Sequence, residues 1–209
     1  KIQRQFTENA AHELRTPLSL MQIQLDLYNS GKHPGNDADT IQTIKMVTEQ
    51  NERLSKMVKT LLDMSELQTV GRDETIVVNA LVDEVLADLE PLAQEKNIKL
   101  IGKCKDVNMV GSDILIYRLV YNLVENAIKY NHSGGQVIVE AYQREKQVYL
   151  SVKDTGNGIP EELKERVFEP FFRVDKSRSR ELGGVGLGLA LVNEIVRVHD
   201  GSIAIRPNP

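Results

Sequence analysis

Over residues 1–69 apolar side chains spaced three and four apart set the pattern, whereas from Glu74 onward alternating and helical runs are mixed. A helical seam and a pleated face present different hydrophobic surfaces, so this change of period near residue 70 constrains the architecture more than any other feature. Ala11, Leu14, Leu18, Met21, Leu25 and Tyr28 form the seam of a first helix, and "NSGKHPGND" interrupts it with two glycines and a proline. Ile44, Val47, Leu54, Val58, Leu61 and Leu62 line one side of a second. Two helices joined by a short loop make an antiparallel hairpin, which cannot bury a full seam alone; a homodimer closing a four-helix bundle would bury it. The alternative is that the hairpin packs on the second domain. A hinge is expected at 70–73, within "TVGRDET", separating the all-α hairpin (1–69) from a second domain (74–209).

In that second domain "VLADLEPLAQEK" reads as helix and "NIKLIGKC" as strand. "SDILIYRLVYNLVENAIKY" is a long amphipathic helix begun by a Ser or Asp cap, and "GGQVIVEAYQREKQVYLSVKD" is a strand pair about a charged turn. "GVGLGLALVNEIVRVH" starts glycine-rich and becomes helix, and "GSIAI" reads as a strand. Strands and helices that do not strictly alternate predict an α+β layered domain, not a doubly wound sheet.

Composition closes off several classes of function. A net charge of −4 gives no broad electrostatic basis for binding nucleic acid or a membrane surface. Cys104 is the only cysteine, so no intrachain disulfide forms, and its apolar neighbours predict a buried structural thiol. His12, His33, His132 and His199 fall at no zinc-ligand spacing. No apolar run approaches the roughly 20 residues of a transmembrane helix. Lys1 stands inside a helical pattern, so the chain reads as a cytosolic piece of a longer protein.

Chemistry concentrates in three places. On the long helix, Asn122, Asn126 and Lys129 share one polar face opposite the stripe of Ile116, Leu119, Val120, Leu123 and Ala127. In "QVYLSVKDTGNGI", Asp154 has the parity of Val148, Leu150 and Val152, so the strand carries a carboxylate inward, followed by a turn at Gly156 and Gly158. Such an acceptor suits an exocyclic amine such as that of adenine; a carboxylate capping its own turn is the plainer alternative. Gly184, Gly186 and Gly188 then lead into a helix and offer bare amides to phosphates. They follow no strand of a βαβ unit, and no GKS or GKT is present, which counts against Rossmann and P-loop sites. Between the last two motifs, "FEPFFRVDKSRSREL" has the composition of a mobile flap.

The order of Asn126, "DTGNG", "FEPFF" and "GVGLG" resembles the N, G1, F and G2 boxes of sensor histidine kinases, and the opening "HELRTPL" resembles their H box. The likeness covers nearly the whole chain with every box in order. It implies a dimerisation and phosphotransfer hairpin followed by a Bergerat-type ATP-binding sandwich, with ATP and Mg²⁺ as cofactors. By the same resemblance His12 is the phospho-acceptor, Glu13 its base, and Thr16 the residue that orients water when the kinase acts as a phosphatase. Asn126 becomes the Mg²⁺ ligand supported by Asn122, Lys129 lies near the phosphates, and Tyr130 walls the adenine. Asp154 becomes the adenine acceptor with Gly156 and Gly158 as its turn. Gly186 and Gly188 face the phosphates, Gly184 opens that loop, and Arg173 reaches towards the phosphates.

The implied activity is transfer of the γ-phosphoryl group to His12 and onward to an aspartate of a response regulator, in the cytoplasmic portion of a membrane-anchored bacterial sensor. Imidazole suits this role because it is neutral and nucleophilic at cellular pH, and an adjacent carboxylate can take up its other proton. Pro17 lacks an N–H, leaving the Glu13 carbonyl without a helical partner, and the resulting bend is expected to open access to His12. Related Bergerat ATPases carry a glutamate where this chain has Asn122, which favours transfer to protein over hydrolysis. Val185 stands where many relatives have Thr or Ser, and relatives usually add one more strand after "GSIAI". A nucleotide-binding scaffold without transfer and a chaperone- or topoisomerase-like ATPase are the competing readings. His33, His132 and His199 are expected to be structural or solvated, His199 as a cation at a helix C-terminus.

Overall fold

The computed structural model describes residues 2–29, 37–67, 69–175 and 184–207, with side chains from residue 9 in the first helix and from residue 40 in the second. The hairpin loop with His33, and the middle of the expected flap over 176–183, lie outside the described residues.

Two long helices, α1 (Ile2–Asn29) and α2 (Asp37–Glu66), form the N-terminal hairpin. Pro17 sits inside α1 without ending it. The Thr16 hydroxyl donates to the His12 carbonyl one turn earlier (3.2 Å), beside the Glu13 carbonyl that Pro17 leaves unserved. Along the pair, Leu14, Leu18, Leu54, Val58 and Leu62 line an open apolar groove. Leu18, Ile44 and Leu62 are each more than half exposed, so the predicted seam is laid out but not covered within one chain. A different flank of α2 does pack on the following domain, as the alternative reading allowed: Met57 is fully buried with Val185 and Leu187, and Leu14, Leu61 and Phe171 surround them.

The second domain is an α/β sandwich. Strand β1 (Glu74–Val77) is followed by helix α3 (Val78–Glu95) and strands β2 (Lys99–Cys104) and β3 (Asn108–Gly111). Helix α4 (Asp113–Lys129), strands β4 (Gln136–Arg144) and β5 (Gln147–Asp154), two short 3₁₀ turns and helix α5 (Gly188–Val198) complete it. β4 pairs in parallel with β2, Lys99 opposite Gln136, and antiparallel with β5, Val137 opposite Asp154. β1 and β3 make a separate antiparallel pair. The helices press apolar stripes onto the sheet: Val82, Val85 and Leu89 from α3, Ile116, Val120 and Val124 from α4, and Leu191 and Ile195 from α5 share one core with Val137, Val139 and Ala141. Leu67, just beyond the end of α2, is buried in that same core, with Met64 packed against it.

Four sequence expectations need correction. "GSIAI" is not a strand: residues 201–207 carry no strand assignment, although Ile203 and Ile205 face inward while their neighbours are exposed. Alternating burial without a ladder partner gives extended chain only. Ser112 occupies the N-cap of α4, but its side chain makes no capping bond. The work is done from outside: Glu74 accepts the Asp113 N–H (2.9 Å) and His199 Nε2 accepts the Ser112 N–H (3.1 Å). His199 Nδ1 in turn donates to the Ile195 carbonyl (2.8 Å), so the ring is a neutral bridge between α5 and α4 and not a C-terminal cation. Cys104 is half-buried, with burial pushing its thiol pKa up, which leaves it a packing residue.

Candidate functional site

Helix α4 delivers the amides. Its buried stripe fixes the opposite face, where Asn122, Asn126 and Lys129 lie half-buried. The Asn122 amide donates to the Arg118 carbonyl (2.7 Å), which locks its side chain along the helix with its oxygen directed at the glycine loop. A Cβ built on Gly188 would stand 2.9 Å from Asn122 Oδ1 and 3.6 Å from Asn126 Nδ2. The first residue of α5 therefore closes on the amide face of α4, so near that a side chain at this position would force Asn122 to shift.

The G1-like turn is built from the end of β5. Asp154 is half-buried, and its Oδ1 accepts the Gly156 N–H (2.8 Å), so the carboxylate caps its own turn. A Cβ on Gly156 would meet the Tyr130 carbonyl at 2.7 Å, so strand end and helix end meet here. Gly158 takes φ +68° and continues the turn. Tyr130 caps the C-terminus of α4, its N–H bonded to the Asn126 carbonyl. Sequence reading missed the clasp that holds these ends together. Buried Asn131 donates to the Gln136 carbonyl (3.1 Å) and accepts from Thr155 Oγ1 (3.1 Å), while Thr155 accepts the Gln136 N–H (2.9 Å). Its only trace in the sequence is a polar residue just past a helix end, which many surface turns share.

The F-like segment and the glycine loop interlock. Phe171 N–H donates to the Gly186 carbonyl (2.7 Å), and a Cβ on Gly186, at φ +78°, would be 2.7 Å from the Phe172 carbonyl. Phe171 is itself held at φ +66°, unfavourable for a bulky residue and maintained here by that bond and by its apolar packing. Arg166 lies 4.4 Å above the Phe172 ring. Arg173, expected at the phosphates, is instead buried against the hairpin: it donates to Glu13 (2.9 Å) and to the Gly184 carbonyl (3.3 Å). Val185 gives the hydroxyl-to-methyl difference a structural meaning, because its side chain is buried against Met57 of α2.

At the hairpin end His12 is exposed on α1. The Glu13 carboxylate lies between Arg173 and Arg53 of α2, the latter at 3.5 Å. Lys129, also expected at the phosphates, pairs with Glu125 (2.8 Å), which is bridged on its other side by Lys56 of α2 (2.9 Å). Burial opposes ionisation of Glu125, but the hydrogen bonds and charges of Lys129 and Lys56 outweigh it and hold its carboxyl below the usual carboxylate range. Burial likewise lowers the Lys129 pKa despite Glu125. Arg53 and Lys56, one turn apart on α2, carried no motif and were not singled out from the sequence.

Among the described residues no three His, Cys, Asp or Glu side chains cluster as a metal site. The side-chain amides of Asn122 and Asn126 are half-buried on one face of α4, and their oxygens are ligands of the kind a cation takes alongside water and phosphate oxygens, which is how Mg²⁺ is usually held. No helix among the described residues is long and apolar enough to cross a membrane.

Comparison with known proteins agrees with this geometry. Residues 2–70 match the His Kinase A (phospho-acceptor) domain, and residues 111–209 match the histidine kinase-, DNA gyrase B- and HSP90-like ATPase family. The chain is 36% identical over 210 residues to the sensor histidine kinase RppB of Synechocystis sp., covering 97% of this chain and 46% of that protein. The histidine kinase AdeS of Acinetobacter baumannii superposes with a TM-score of 0.71 at 25% identity, over 90% of this chain and 86% of AdeS. Histidine kinase ThkA, solved in complex with response regulator protein TrrA, gives 0.73 at 26% identity, over 94% of this chain and 55% of that one. The chain spans about a third to about half of the curated relatives it matches. An exposed histidine on a phospho-acceptor hairpin, followed by an ATPase sandwich with its amide face and glycine loop in register, places this chain in the family of two-component sensor histidine kinases, as their catalytic core.

Proposed function

We propose that the chain is an ATP-dependent protein-histidine kinase that phosphorylates His12 and passes the phosphoryl group to an aspartate of a response regulator. The hairpin over 1–69 acts as dimerisation and phosphotransfer unit, 70–73 as hinge and 74–209 as ATP-binding domain. The observation that carries this reading is the seating of Gly188 on the Asn122 and Asn126 face of α4, in a chain that also exposes His12 on a hairpin. Asp154 and the Gly156–Gly158 turn take the adenine with Tyr130 as its wall, while the loop from Gly184 through Gly186 to Gly188 takes the phosphates. Mg²⁺, held by Asn126 and supported by Asn122, would offset phosphate charge and steady the leaving group. The unprotonated ring nitrogen of His12 attacks the γ-phosphorus, the bond to the β,γ-bridging oxygen breaks, and its electron pair leaves on ADP. Glu13 accepts the proton of the other ring nitrogen, for which it must first part from Arg53 and Arg173. Lys129 and Arg173 reach the phosphates only after leaving Glu125 and Glu13.

A homodimer closing over the exposed seam, a receiver domain as partner, and attachment to a membrane through segments outside this chain complete the proposal. Thr16, on the same turn as His12, would orient water for removal of phosphate from the regulator. Incubation with γ-labelled ATP and Mg²⁺ tests the core claim. Label on the parent that is lost in acid, kept in alkali and absent from His12→Gln is expected. Label on both proteins would refute the choice of histidine, and steady phosphate release without labelled protein would favour an ATPase.

A further inference from the structure

We infer that Asn131 and Thr155 are positioning residues of the adenine site: their clasp fixes Tyr130 and Asp154 relative to each other, and so sets nucleotide affinity and the preference for adenine over guanine. This rests on the nucleotide reading above and adds two residues that no motif marks. Each directly follows in the chain one of the residues assigned to the base, Asn131 after Tyr130 and Thr155 after Asp154. Tyr130 ends α4 and Asp154 ends β5, so neither element alone relates the ring to the carboxylate. A site whose parts come from two elements needs a tie between them.

The bonding of the clasp is directional and has one arrangement. Asn131 is buried, and two backbone groups fix its side chain: Oδ1 accepts the His132 N–H (3.0 Å) and Nδ2 donates to the Gln136 carbonyl (3.1 Å). Thr155 Oγ1 accepts the Gln136 N–H (2.9 Å), which directs its own proton to Asn131 Oδ1 (3.1 Å). The Thr155 N–H adds a bond to the Gln136 carbonyl (3.2 Å), one step beyond the β4–β5 pairing. On one side of the clasp the Tyr130 N–H is held by the Asn126 carbonyl (3.0 Å); on the other, Asp154 Oδ1 is held by the Gly156 N–H (2.8 Å). Helix end and carboxylate turn are thus joined, side chain to side chain, through one hydroxyl. The fit has no slack. A Cβ on Gly156 would stand 2.7 Å from the Tyr130 carbonyl and 3.3 Å from Asn131 Cα. A Cβ on Gly135 would overlap Asn131 Oδ1 and stand 2.7 Å from Thr155 Oγ1.

Adenine presents an amine where guanine presents a carbonyl, so a carboxylate held in place accepts from the first and repels the second. A hydrogen bond to a charged group depends on alignment. An Asp154 released from the clasp keeps its charge but loses its aim, which costs ATP more than GTP.

Thr155→Val removes the hydroxyl and keeps the branched shape. Calorimetry on the whole chain compares ATP with GTP, each with Mg²⁺. Affinity for ATP should fall about tenfold while that for GTP changes little, narrowing the ratio by about the same factor. Thr155→Ser restores the hydroxyl and should return the parent ratio. Gly135→Ala keeps every hydrogen-bonding group of the clasp and displaces Asn131 from the β4 side; it should reproduce the narrowed ratio, so the test does not hang on one substitution. A purely structural clasp would lower the unfolding midpoint, or weaken both nucleotides alike, and leave the ratio at the parent value. That result overturns the inference, and so does an unchanged affinity for ATP. The parent separates the two levels: if it binds ATP in preference to GTP, only the role of the clasp is at stake, and if it shows no such preference, Asp154 is not at the base and the inference falls with it.

Discussion

In the sandwich, Leu191 and Ile195 of α5 are covered almost wholly by residues of the same domain, while in the hairpin Leu18, Ile44 and Leu62 stand more than half exposed. The two halves of the chain satisfy the same hydrophobic requirement by different routes. Three helices laid on one sheet close a core by themselves, whereas two antiparallel helices leave a groove that only further helices can fill. The proposed nucleotide site is accordingly built on elements anchored in a closed core, and His12, the proposed phospho-acceptor, sits on a helix whose surroundings depend on what docks there. On the proposed reading, a packed cradle and an exposed acceptor divide the labour of the transfer.

The largest effects should come from breaking this contrast at matched residues. Leu191→Ala removes a side chain that is 2% exposed and should cost about 2–5 kcal/mol of sandwich stability, read as an earlier denaturant midpoint. Leu62→Ala, at 56% exposed, should leave that midpoint within about 0.5 kcal/mol while shifting the dimer towards monomer in sedimentation. Equal destabilisation by both would mean that the groove is closed within one chain. His199→Leu keeps much of the bulk but orphans the Ser112 N–H at the start of α4, with an expected cost of about 1–3 kcal/mol. A His199 variant as stable as the parent would remove the bridge between α5 and α4.

The cradle can be tested without disturbing the core. Gly188→Ala places a methyl 2.9 Å from Asn122 Oδ1, and the loop must yield or Asn122 must turn away. Binding of ATP with Mg²⁺, measured by calorimetry, should weaken at least about tenfold, or roughly 1.4 kcal/mol, with the unfolding midpoint little changed. Unchanged affinity would mean that the phosphates do not approach this helix end.

What the sequence disclosed follows the same contrast. Local periodicity was enough for both hairpin helices, for α3, α4 and α5 and for the β4–β5 pair, because each buries a face that its own spacing announces. β1 and β3 escaped notice, being four-residue strands whose pairing brings Glu74 opposite Gly111 across the intervening α3 and β2. "GSIAI" was overread because alternation predicts a face, not a partner. Within the site, Asn122, Asn126, Asp154 and the glycines could be picked out as motifs. The positions of Arg173 and Lys129 could not, since a long cation takes its place from whichever carboxylate the tertiary fold brings near. Arg53, Lys56 and Met57 were hidden for the same reason: on α2 alone they are an ordinary mixed surface, and only the docked sandwich makes them a ridge.

That ridge yields the smallest prediction and the most direct probe of how the halves are joined. Glu125 has a folded-state pKa below its ordinary value, since Lys129 and Lys56 outweigh the burial that opposes its charge. A depressed carboxylate contributes stability that is present above its unfolded pKa of about 4.3 and is lost as pH falls through the lower folded value. Stability of the parent should therefore decline with acid through this window more steeply than that of Glu125→Gln. Lys56→Gln removes the only partner of the pair that belongs to the hairpin. It should raise the Glu125 pKa towards its ordinary value and narrow the window while leaving the Lys129 contact in place. An unchanged acid profile in Lys56→Gln would show that the sandwich holds Glu125 without the hairpin, and would loosen the electrostatic part of the docking while leaving the Met57 cluster to carry it.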